Sequence, residues 1–371
     1  MLLPLLYRRI LFPLLIPTAA LGAGLIAIVA VAASVGAAPG RALLILLRGA
    51  LGDPKGIGYT LFYATDYVFA GLAVALPFQA GLFNIGGEGQ AALGGLGATL
   101  VAFALQGAPA ALILAAAVIA AAGFGALWAS VPAWLQARRG SHLVITTIMF
   151  NFIAAALMTW LLTRVLIAPG DAAPETSEFP HALWLPTLAD LAARFGIDAG
   201  GAPLNPVALL ALVAAGYYWL LLRRTPLGYE IRAVGFNPTA AHAAGIAVPR
   251  ISVVAVCVGG AFAGLIALNE LFGAQHRLTL DLTAGAGFTG IAVALMGRGT
   301  ALGIVLAAIL FGALNQGGAA LSFDLPNVTH DVVILAEGVA IFVCGALDGA
   351  VRGHLARLVQ ALRAIPARER A

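Results

Sequence analysis

Long apolar runs separated by short polar stretches repeat along most of the chain. A helix needs about 20 mostly apolar residues to cross a bilayer, because hydrocarbon offers the backbone no hydrogen-bonding partner. About ten segments come close to this length, namely residues 11–36, 59–80, 90–106, 110–135, 143–167, 206–222, 251–271, 284–297, 300–320 and 329–346. The pattern predicts an all-α integral membrane protein with about ten transmembrane helices, of which the short, glycine-rich third and eighth are expected to be discontinuous or re-entrant.

Composition excludes a soluble globule. Hydrophobic residues make up 61% of the 371 residues and charged residues only 10%, whereas soluble domains average about 25% charged residues. The formal net charge of +4 is spread as short arginine pairs and a basic tail, which is not the pattern of a nucleic-acid-binding protein. We expect residues 1–371 to form a single transmembrane domain.

The distribution of basic residues predicts the orientation, because cytoplasmic loops carry the excess of lysine and arginine. With the N-terminus inside, 14 of the 20 basic residues are cytoplasmic. The six that fall outside are Arg41, Arg48, Lys55, Arg164, Arg194 and Arg277. Both termini are then cytoplasmic, and the Pro-rich, acidic stretch at 168–205 is a long outer loop. That loop either helps to dock a solute-binding protein or is a spacer.

The segment AGLFNIGGEGQ at 80–90 interrupts an apolar run with polar residues and glycines. A carboxylate at the bilayer centre costs about 2.5 to 3.5 kcal/mol on insertion scales, so Glu88 is expected to face a protein interior or a wet cavity. With Asn84 and Gln90 it either contacts a solute in transit or belongs to a cluster of polar groups that satisfy one another and hold helices together. A second glycine-rich break lies at 285–314, which raises the hypothesis of two inverted repeats.

A polar segment at 223–250 is expected on the cytoplasmic side, and within it a short helix is predicted. Asn237 suits the N-cap, Pro238 the first turn and Gly245 the C-terminal stop. Such a helix can insert into another protein, or it can be an ordinary connector between two spans.

Several kinds of site are missing from the sequence. No G-x-x-x-x-G-K-[ST] phosphate-binding loop occurs, so ATP would have to be hydrolysed by a partner. No Cys/His spacing of a zinc site and no catalytic constellation occurs either. We therefore predict a chain that is not an enzyme, with no catalytic residue, metal or cofactor of its own.

Four stretches carry a family resemblance. They are GLAVALPFQAGLFNIGGEGQ at 71–90, HLVITTIMFNFIA at 142–154, APETSEF at 173–179 and GFTGIAVALMG at 287–297. Together they resemble the permease subunits of ATP-binding-cassette (ABC) importers for nucleosides and simple sugars. The chain departs from the family pattern at Ser141, His142 and Leu143, at His242 and at Ala301, which leaves the subfamily and substrate open.

This resemblance implies an ABC importer permease fold and a transport function in a bacterial inner membrane. It implies three partners: an ABC ATPase, a second permease, identical or related, and an extracytoplasmic solute-binding lipoprotein. The candidate ATPase-coupling residues are Gly235, Asn237, Ala240, Ala241 and Gly245. The candidate substrate-pathway residues are Phe83, Asn84, Glu88, Gln90, Asn151, Asn269 and Phe288.

Two other functions remain open from the sequence. Glu88, Glu270 or Glu337 could titrate in an ion-coupled secondary transporter. A membrane enzyme or assembly factor without transport is the other alternative.

Overall fold

The computed structural model describes residues 22–27, 29–30, 33–34, 38–168, 170, 172–196, 200–325, 334–335, 338–339 and 342–343. The chain divides into two compact units, one formed by residues 44–324 and the other by the two chain ends, 1–43 and 325–371. Residues 22–27 of the chain-end unit are helical. The first and tenth predicted transmembrane segments lie mostly outside the described residues, and Glu337 lies outside them as well.

The described chain is helical almost throughout. In chain order the α-helices are α1 (Pro39–Leu51), α2 (Pro54–Gln79), α3 (Gly87–Ala104), α4 (Ala110–Arg139), α5 (Leu143–Arg164), α6 (Leu188–Ala193), α7 (Val207–Arg224), α8 (Pro226–Phe236), α9 (Pro238–Ala243), α10 (Val248–Gly273), α11 (Ala286–Met296) and α12 (Ala301–Asp324). The described part also contains a short 3-10 helix, His181–Leu183, and its only β pairing is an isolated antiparallel bridge between Glu175 and Thr279.

Six described helices are long and apolar enough to cross a membrane: α2, α4, α5, α7, α10 and α12. The prediction of an all-α membrane protein is confirmed, whereas the count of ten is not. The third and eighth predicted segments correspond to α3, whose first turn is polar, and to α11, which has 11 residues. A helix of 11 residues is about 16 Å long, roughly half of the hydrocarbon thickness. The inverted-repeat hypothesis stays a prediction.

The bundle is built around α2 and α10. In the most apolar stretch of α2, 83% of the residues are buried inside the protein, and in that of α10, 72% are buried. The corresponding share is 22% in both α4 and α5. In water the exposed apolar surface of α4 and α5 would be unfavourable, whereas in a bilayer it contacts lipid chains that are equally apolar.

Small residues bring α4 and α10 into backbone contact. Gly260 and Gly264 of α10 lie against Gly125 and Ala121 of α4, and a Cβ added to Gly264 would lie 2.0 Å from the carbonyl oxygen of Ala121. Membrane helices associate through such stripes of small residues, because there is no hydrophobic effect to drive them together within lipid. This crossing fixes the position of α10 relative to α4.

The helices begin and end at two opposite ends of the bundle. One, here called the arginine-rich end, contains the C-termini of α2, α4 and α7, all of α8 and α9, and the N-termini of α5, α10 and α12. Seven described basic residues belong to it: Arg138, Arg139, Arg223, Arg224, Arg232, Arg250 and Arg298.

The opposite end contains the 168–205 segment, which is fastened to the loop after α10. The backbone N–H of Thr176 donates to the carbonyl of Leu278 at 3.0 Å. Arg277 forms ion pairs with Glu175 at 2.5 Å and with Glu178 at 2.7 Å. The side chains of Glu178 and Arg277 are partly solvated, so these pairs orient the segment more than they stabilise the fold.

Candidate functional site

The first turns of α3 and α11 are in contact inside the bundle. A Cβ added to Gly287 would lie 2.4 Å from the backbone nitrogen of Glu88, and one added to Gly87 would lie 3.1 Å from the carbonyl oxygen of Gly287. Glycine is therefore required at Gly287 for this approach. Each helix is preceded by non-helical chain, residues 80–86 before α3 and 274–285 before α11. The two breaks that the sequence analysis noted thus meet at one place.

Glu88 joins these two helix starts. Its carboxylate accepts hydrogen bonds from the backbone N–H of Gly287 at 2.9 Å, from the N–H of Gly285 at 3.1 Å and from the hydroxyl of Thr283. Gly285, the N-cap of α11, has a φ of 83°. The carboxylate therefore caps α11 while lying in the first turn of α3, so the positive ends of two helix dipoles stabilise its charge. This arrangement offsets part of the cost of placing a carboxylate inside the membrane.

Asn151 of α5 holds the turn that leads into α3. Its Oδ1 accepts from the N–H of Gly89 at 3.0 Å, and its Nδ2 donates to the carbonyl of Ile85 at 2.9 Å. The hydroxyl of Thr147, one helical turn earlier, accepts from the N–H of Ile85 at 3.3 Å. Non-helical backbone inside a membrane protein needs such partners, since lipid supplies none. Asn151 lies about 12 Å along α5 from its start at Leu143, so this turn is well inside the bundle.

Asn84 and Gln90 are buried and bond to each other. The Nδ2 of Asn84 donates to Oε1 of Gln90 at 3.1 Å, and the Nε2 of Gln90 donates to Oδ1 of Asn84 at 3.2 Å. Oδ1 of Asn84 also accepts from the N–H of Gly86 at 2.9 Å. Their relative exposures are 0% and 1%, so in this conformation these two amides support the turn and present no surface to a solute.

The other predicted pathway residues are dispersed. Asn269 is buried on α10, where it donates to the carbonyl of Phe62 at 3.2 Å and accepts from Asn205 at 2.9 Å. Phe83 packs edge-on against Phe78, with ring centroids 6.1 Å apart. Phe288 is 46% exposed in the first turn of α11. The structure thus brings together Asn84, Glu88, Gln90 and Asn151 and places Asn269 with other elements.

A cavity of about 90 Å³ lies beside Glu88, between α3, α5 and the loop before α11. Its lining includes the polar residues Glu88, Asn151, Thr279, Asp281 and Thr283 and apolar side chains such as Met158. Ligand pockets are usually about 300–1,000 Å³, so this space holds water and not a nucleoside or sugar. The site is therefore closed to a solute of that size in this conformation.

The predicted short helix at the arginine-rich end is confirmed as α9. Oδ1 of Asn237 accepts from the N–H of Ala240 at 3.0 Å, Pro238 occupies the first turn, and Gly245 follows with a φ of 87°. The five candidate coupling residues divide into two groups. Gly235 and Ala241 face the body of the protein, whereas Asn237, Ala240 and Gly245 are exposed.

Gly235 shows why the first group is internal. A Cβ there would lie 2.0 Å from the carbonyl oxygen of Gln79 at the end of α2. Between this glycine and α9, Phe236 exposes 93% of its surface. Phenylalanine is among the residues enriched where proteins bury surface against one another.

Comparison with known proteins now assigns the family. The family described as the permease component of branched-chain amino acid transport systems matches residues 56–342. This chain belongs to that family. No solved structure matches this permease significantly.

Three relatives illustrate the match. The permease is 37% identical over 312 residues to the guanosine ABC transporter permease protein NupP of Bacillus subtilis, covering 81% of this chain and 87% of the relative. It is 34% identical over 329 residues to the glucose ABC transporter permease protein TsgB13 of Haloferax volcanii, covering 86% and 84%. It is 26% identical over 279 residues to a second guanosine permease protein of B. subtilis, NupQ, covering 72% and 85%. The permease is therefore a transport component and not an enzyme, and the resemblance seen in the sequence is confirmed.

Sequence reasoning missed three contributors to the geometry of this permease. Thr283 bonds to Glu88, Asp281 lines the cavity beside it, and Phe236 forms the exposed tip of the segment before α9. Thr283 and Asp281 belong to the polar stretch LTLDLT that precedes the Gly-rich motif at 285. Its polarity between two apolar runs was a usable signal. The exposure of Phe236 could not be predicted, because the sequence does not show which way a phenylalanine side chain faces.

Proposed function

We propose that this chain is an inner-membrane permease subunit of an ABC importer that translocates nucleosides or simple sugars. The observation that carries this proposal is the match over about four fifths of the chain to permeases whose names specify guanosine and glucose. Both solutes are small, polar and rich in hydroxyl groups. The importer mechanism assigns ATP binding to a separate ATPase and delivery of the solute to an extracytoplasmic lipoprotein.

We propose that the pathway runs along the face that carries Glu88, Asn151 and Asp281. The cavity there is the place where polar groups of two broken helices and α5 converge. Opening it requires α5 or the loop before α11 to move away from α3, and the movement would expose carboxylate and amide groups suited to hydroxyls. Weak, multiple contacts of this kind favour release after transport.

The exposed residues Phe236, Asn237 and Ala240 are the proposed contact with the ATPase. They project from the arginine-rich end, which the distribution of basic residues assigns to the cytoplasm. Closure of the ATPase would press on α8 and α9. Because Gly235 lies against the end of α2, that push would reach the chain segment that leads to Glu88.

A related second permease is the proposed partner within the membrane. B. subtilis contains two guanosine permease proteins, NupP and NupQ, which match this chain at 37% and 26% identity. This chain is thus closer to one member of the pair. We propose that it occupies the NupP-like position beside a partner of the NupQ type.

The coupling assignment can be tested with Ala240→Arg. The added side chain is expected to block docking, so that the ATPase no longer co-purifies and uptake stops, while the variant is still inserted and folded. Ala193→Arg is the matched control, because Ala193 is an exposed alanine in a short helix at the opposite end. Co-purification of the ATPase with Ala240→Arg at the level of the control would overturn the assignment.

The alternative of an ion-coupled transporter receives no support from the relatives, which are named as ABC transporter permeases. An ion-coupled transporter would use carboxylates inside the membrane. Of these, Glu88 accepts three hydrogen bonds, and Glu270 accepts one from Gln275 at 3.2 Å.

A further inference from the structure

A second cavity, of about 310 Å³, lies at the arginine-rich end. This is the volume of roughly ten water molecules. Three of the residues that line the cavity are joined by hydrogen bonds. The hydroxyl of Tyr218 and Nε2 of Gln79 both donate to the carbonyl oxygen of Gly299, at 2.8 and 3.2 Å. The cavity belongs to neither the Glu88 site nor the exposed surface of α9.

The walls carry positive charge. Arg223, at the end of α7, and Arg232, on α8, line the cavity, and no aspartate or glutamate in the described part of the chain does. Nε of Arg232 donates to the carbonyl of Gly228 at 3.2 Å, which orients the guanidinium. Among the described residues neither arginine forms an ion pair. Guanidinium groups bind phosphate with two parallel hydrogen bonds, so this pair is suited to an anionic phosphate group.

The N-terminus of α12 forms a third wall. Thr300, Ala301 and Leu302 line the cavity there, and the hydroxyl of Thr300 caps the N–H of Gly303 at 3.2 Å. The first backbone N–H groups and the dipole of this helix add to the positive potential. This helix start reinforces the two arginines.

The rim of the cavity is apolar and faces outward. Leu302 is 72% exposed, and Leu306, one helical turn further along α12, is 59% exposed. Trp219 contributes an indole that is 48% exposed. Leucines on a membrane-spanning helix contact acyl chains, and Trp is enriched at the level of lipid headgroups. The occupant must therefore be both anionic and amphiphilic.

We propose that this cavity, the headgroup pocket, binds the phosphate of an anionic phospholipid from the leaflet at the arginine-rich end, with its acyl chains along α12. Arg223 and Arg232 hold the phosphate, and Trp219 lies beside the glycerol region. Because α7, α8 and the start of α12 all contribute, a bound lipid would hold these three elements together, and α8 leads directly into α9. The proposal depends on the chain spanning a membrane and not on which solute it carries.

Quenching of Trp219 by brominated lipid tests the pocket in the full-length chain reconstituted in nanodiscs. Brominated phosphatidylglycerol is titrated into phosphatidylcholine, and the reverse titration uses brominated phosphatidylcholine. The chain has five tryptophans, so the signal of Trp219 is obtained by subtracting the Trp219→Phe variant. In the unmodified chain, half-maximal quenching should need an about 25-fold lower mole fraction of phosphatidylglycerol than of phosphatidylcholine, the product of about fivefold for each of the two arginines.

Each arginine should account for about fivefold of this preference, the effect of one basic residue near an anionic membrane surface. Arg223→Gln combined with Arg232→Gln should bring the ratio close to one. Arg138→Gln is the matched control, because Arg138 is an exposed arginine of the arginine-rich end that does not line the cavity. Circular dichroism confirms folding of each variant.

Two results would overturn the proposal: equal quenching by both lipids in the unmodified chain, or a preference that survives loss of both arginines. A site for soluble anions is distinguished by adding about 10 mM inorganic phosphate, a concentration at which nonspecific screening is limited. Relief of phosphatidylglycerol quenching by phosphate would show a site for soluble anions and would also contradict the lipid assignment.

Discussion

Replacing Glu88 with glutamine should destabilise the junction between α3 and α11 without changing its shape. The carboxylate accepts three hydrogen bonds from α11 and the residues before it. In the amide, one oxygen becomes an N–H₂ group that faces an N–H or O–H donor, so at least one bond is lost and the others lose their charge. Hydrogen bonds to charged groups contribute about 1.5–3 kcal/mol against about 1 kcal/mol for neutral ones, and loss of the charge at a partly buried helix N-terminus costs up to about 2 kcal/mol.

The expected loss for Glu88→Gln is therefore about 2–3 kcal/mol in the free energy of unfolding. It is measured by titrating the purified chain in mixed micelles with a denaturing detergent and following tryptophan fluorescence. Asp281→Asn is the matched control, because Asp281 lines the same cavity but is exposed and gives no side-chain bond to α11. A Glu88→Gln variant that unfolds within about 0.5 kcal/mol of this control would refute the capping argument, since about 0.5 kcal/mol is the usual range for surface changes.

Three further predictions concern the bundle and the outer loop. Asn151→Leu leaves a backbone N–H and a carbonyl without partners and should cost about 2–6 kcal/mol in the same titration, about 1–3 for each group. Thr159→Val on the exposed face of α5 should change stability little, and equal effects would contradict the role of the amide. Gly264→Leu should give no monodisperse peak on size-exclusion chromatography, because its Cβ would overlap a backbone oxygen of α4. Gly123→Leu, whose side chain would enter open space, should be tolerated. A monodisperse Gly264→Leu protein would show that the crossing of α4 and α10 can relax. His276 lies in the loop after α10 and stacks on Trp184 of the 168–205 segment, with ring centroids 3.9 Å apart. Burial lowers the pKa of His276 from its ordinary 6.5, so the folded protein binds fewer protons here than the unfolded one. The stability that this provides is full above about pH 6.5 and is lost as the pH falls from there through the lower folded value. Proteolysis of the 168–205 segment should accordingly be faster at pH 5 than at pH 7.5, and His276→Gln should remove most of that difference.

The hydrophobic pattern predicted the class of fold well, whereas the number of spans stays a prediction. Apolar length identifies helices that face lipid, such as α4 and α5, because nearly all of their residues are hydrophobic. It is less informative for α3, where Gly87 to Gln90 form a polar first turn. There the structure is decided by contacts with α5 and α11, which lie far away in the sequence.

The sequence predicted the environment of Glu88 and not its partners. Glu88 was expected in a protein interior because an intramembrane carboxylate is costly, and its immediate partners confirm that environment. That the partners are Thr283, Gly285 and Gly287 could not be read from one sequence, since nothing local relates residue 88 to a loop almost 200 positions later.

Local helix signals at the arginine-rich end were reliable. Asn237, Pro238 and Gly245 specify the start and end of α9 through their own side chains and backbone preferences. Whether a residue of this segment faces inward was not predictable, and Gly235 shows the reason. Its role is to allow the carbonyl of Gln79 to approach, a property of the neighbouring helix.

The most direct test of the proposed function is uptake of labelled guanosine and of labelled glucose into vesicles that contain the permease. Reconstituted with its ABC ATPase, a second permease and the solute-binding protein, the chain should accumulate one of the two solutes when ATP is supplied, and dissipating the ion gradients should leave the rate unchanged. Accumulation by the purified chain alone, driven by an ion gradient in vesicles without any nucleotide hydrolase, would contradict the account.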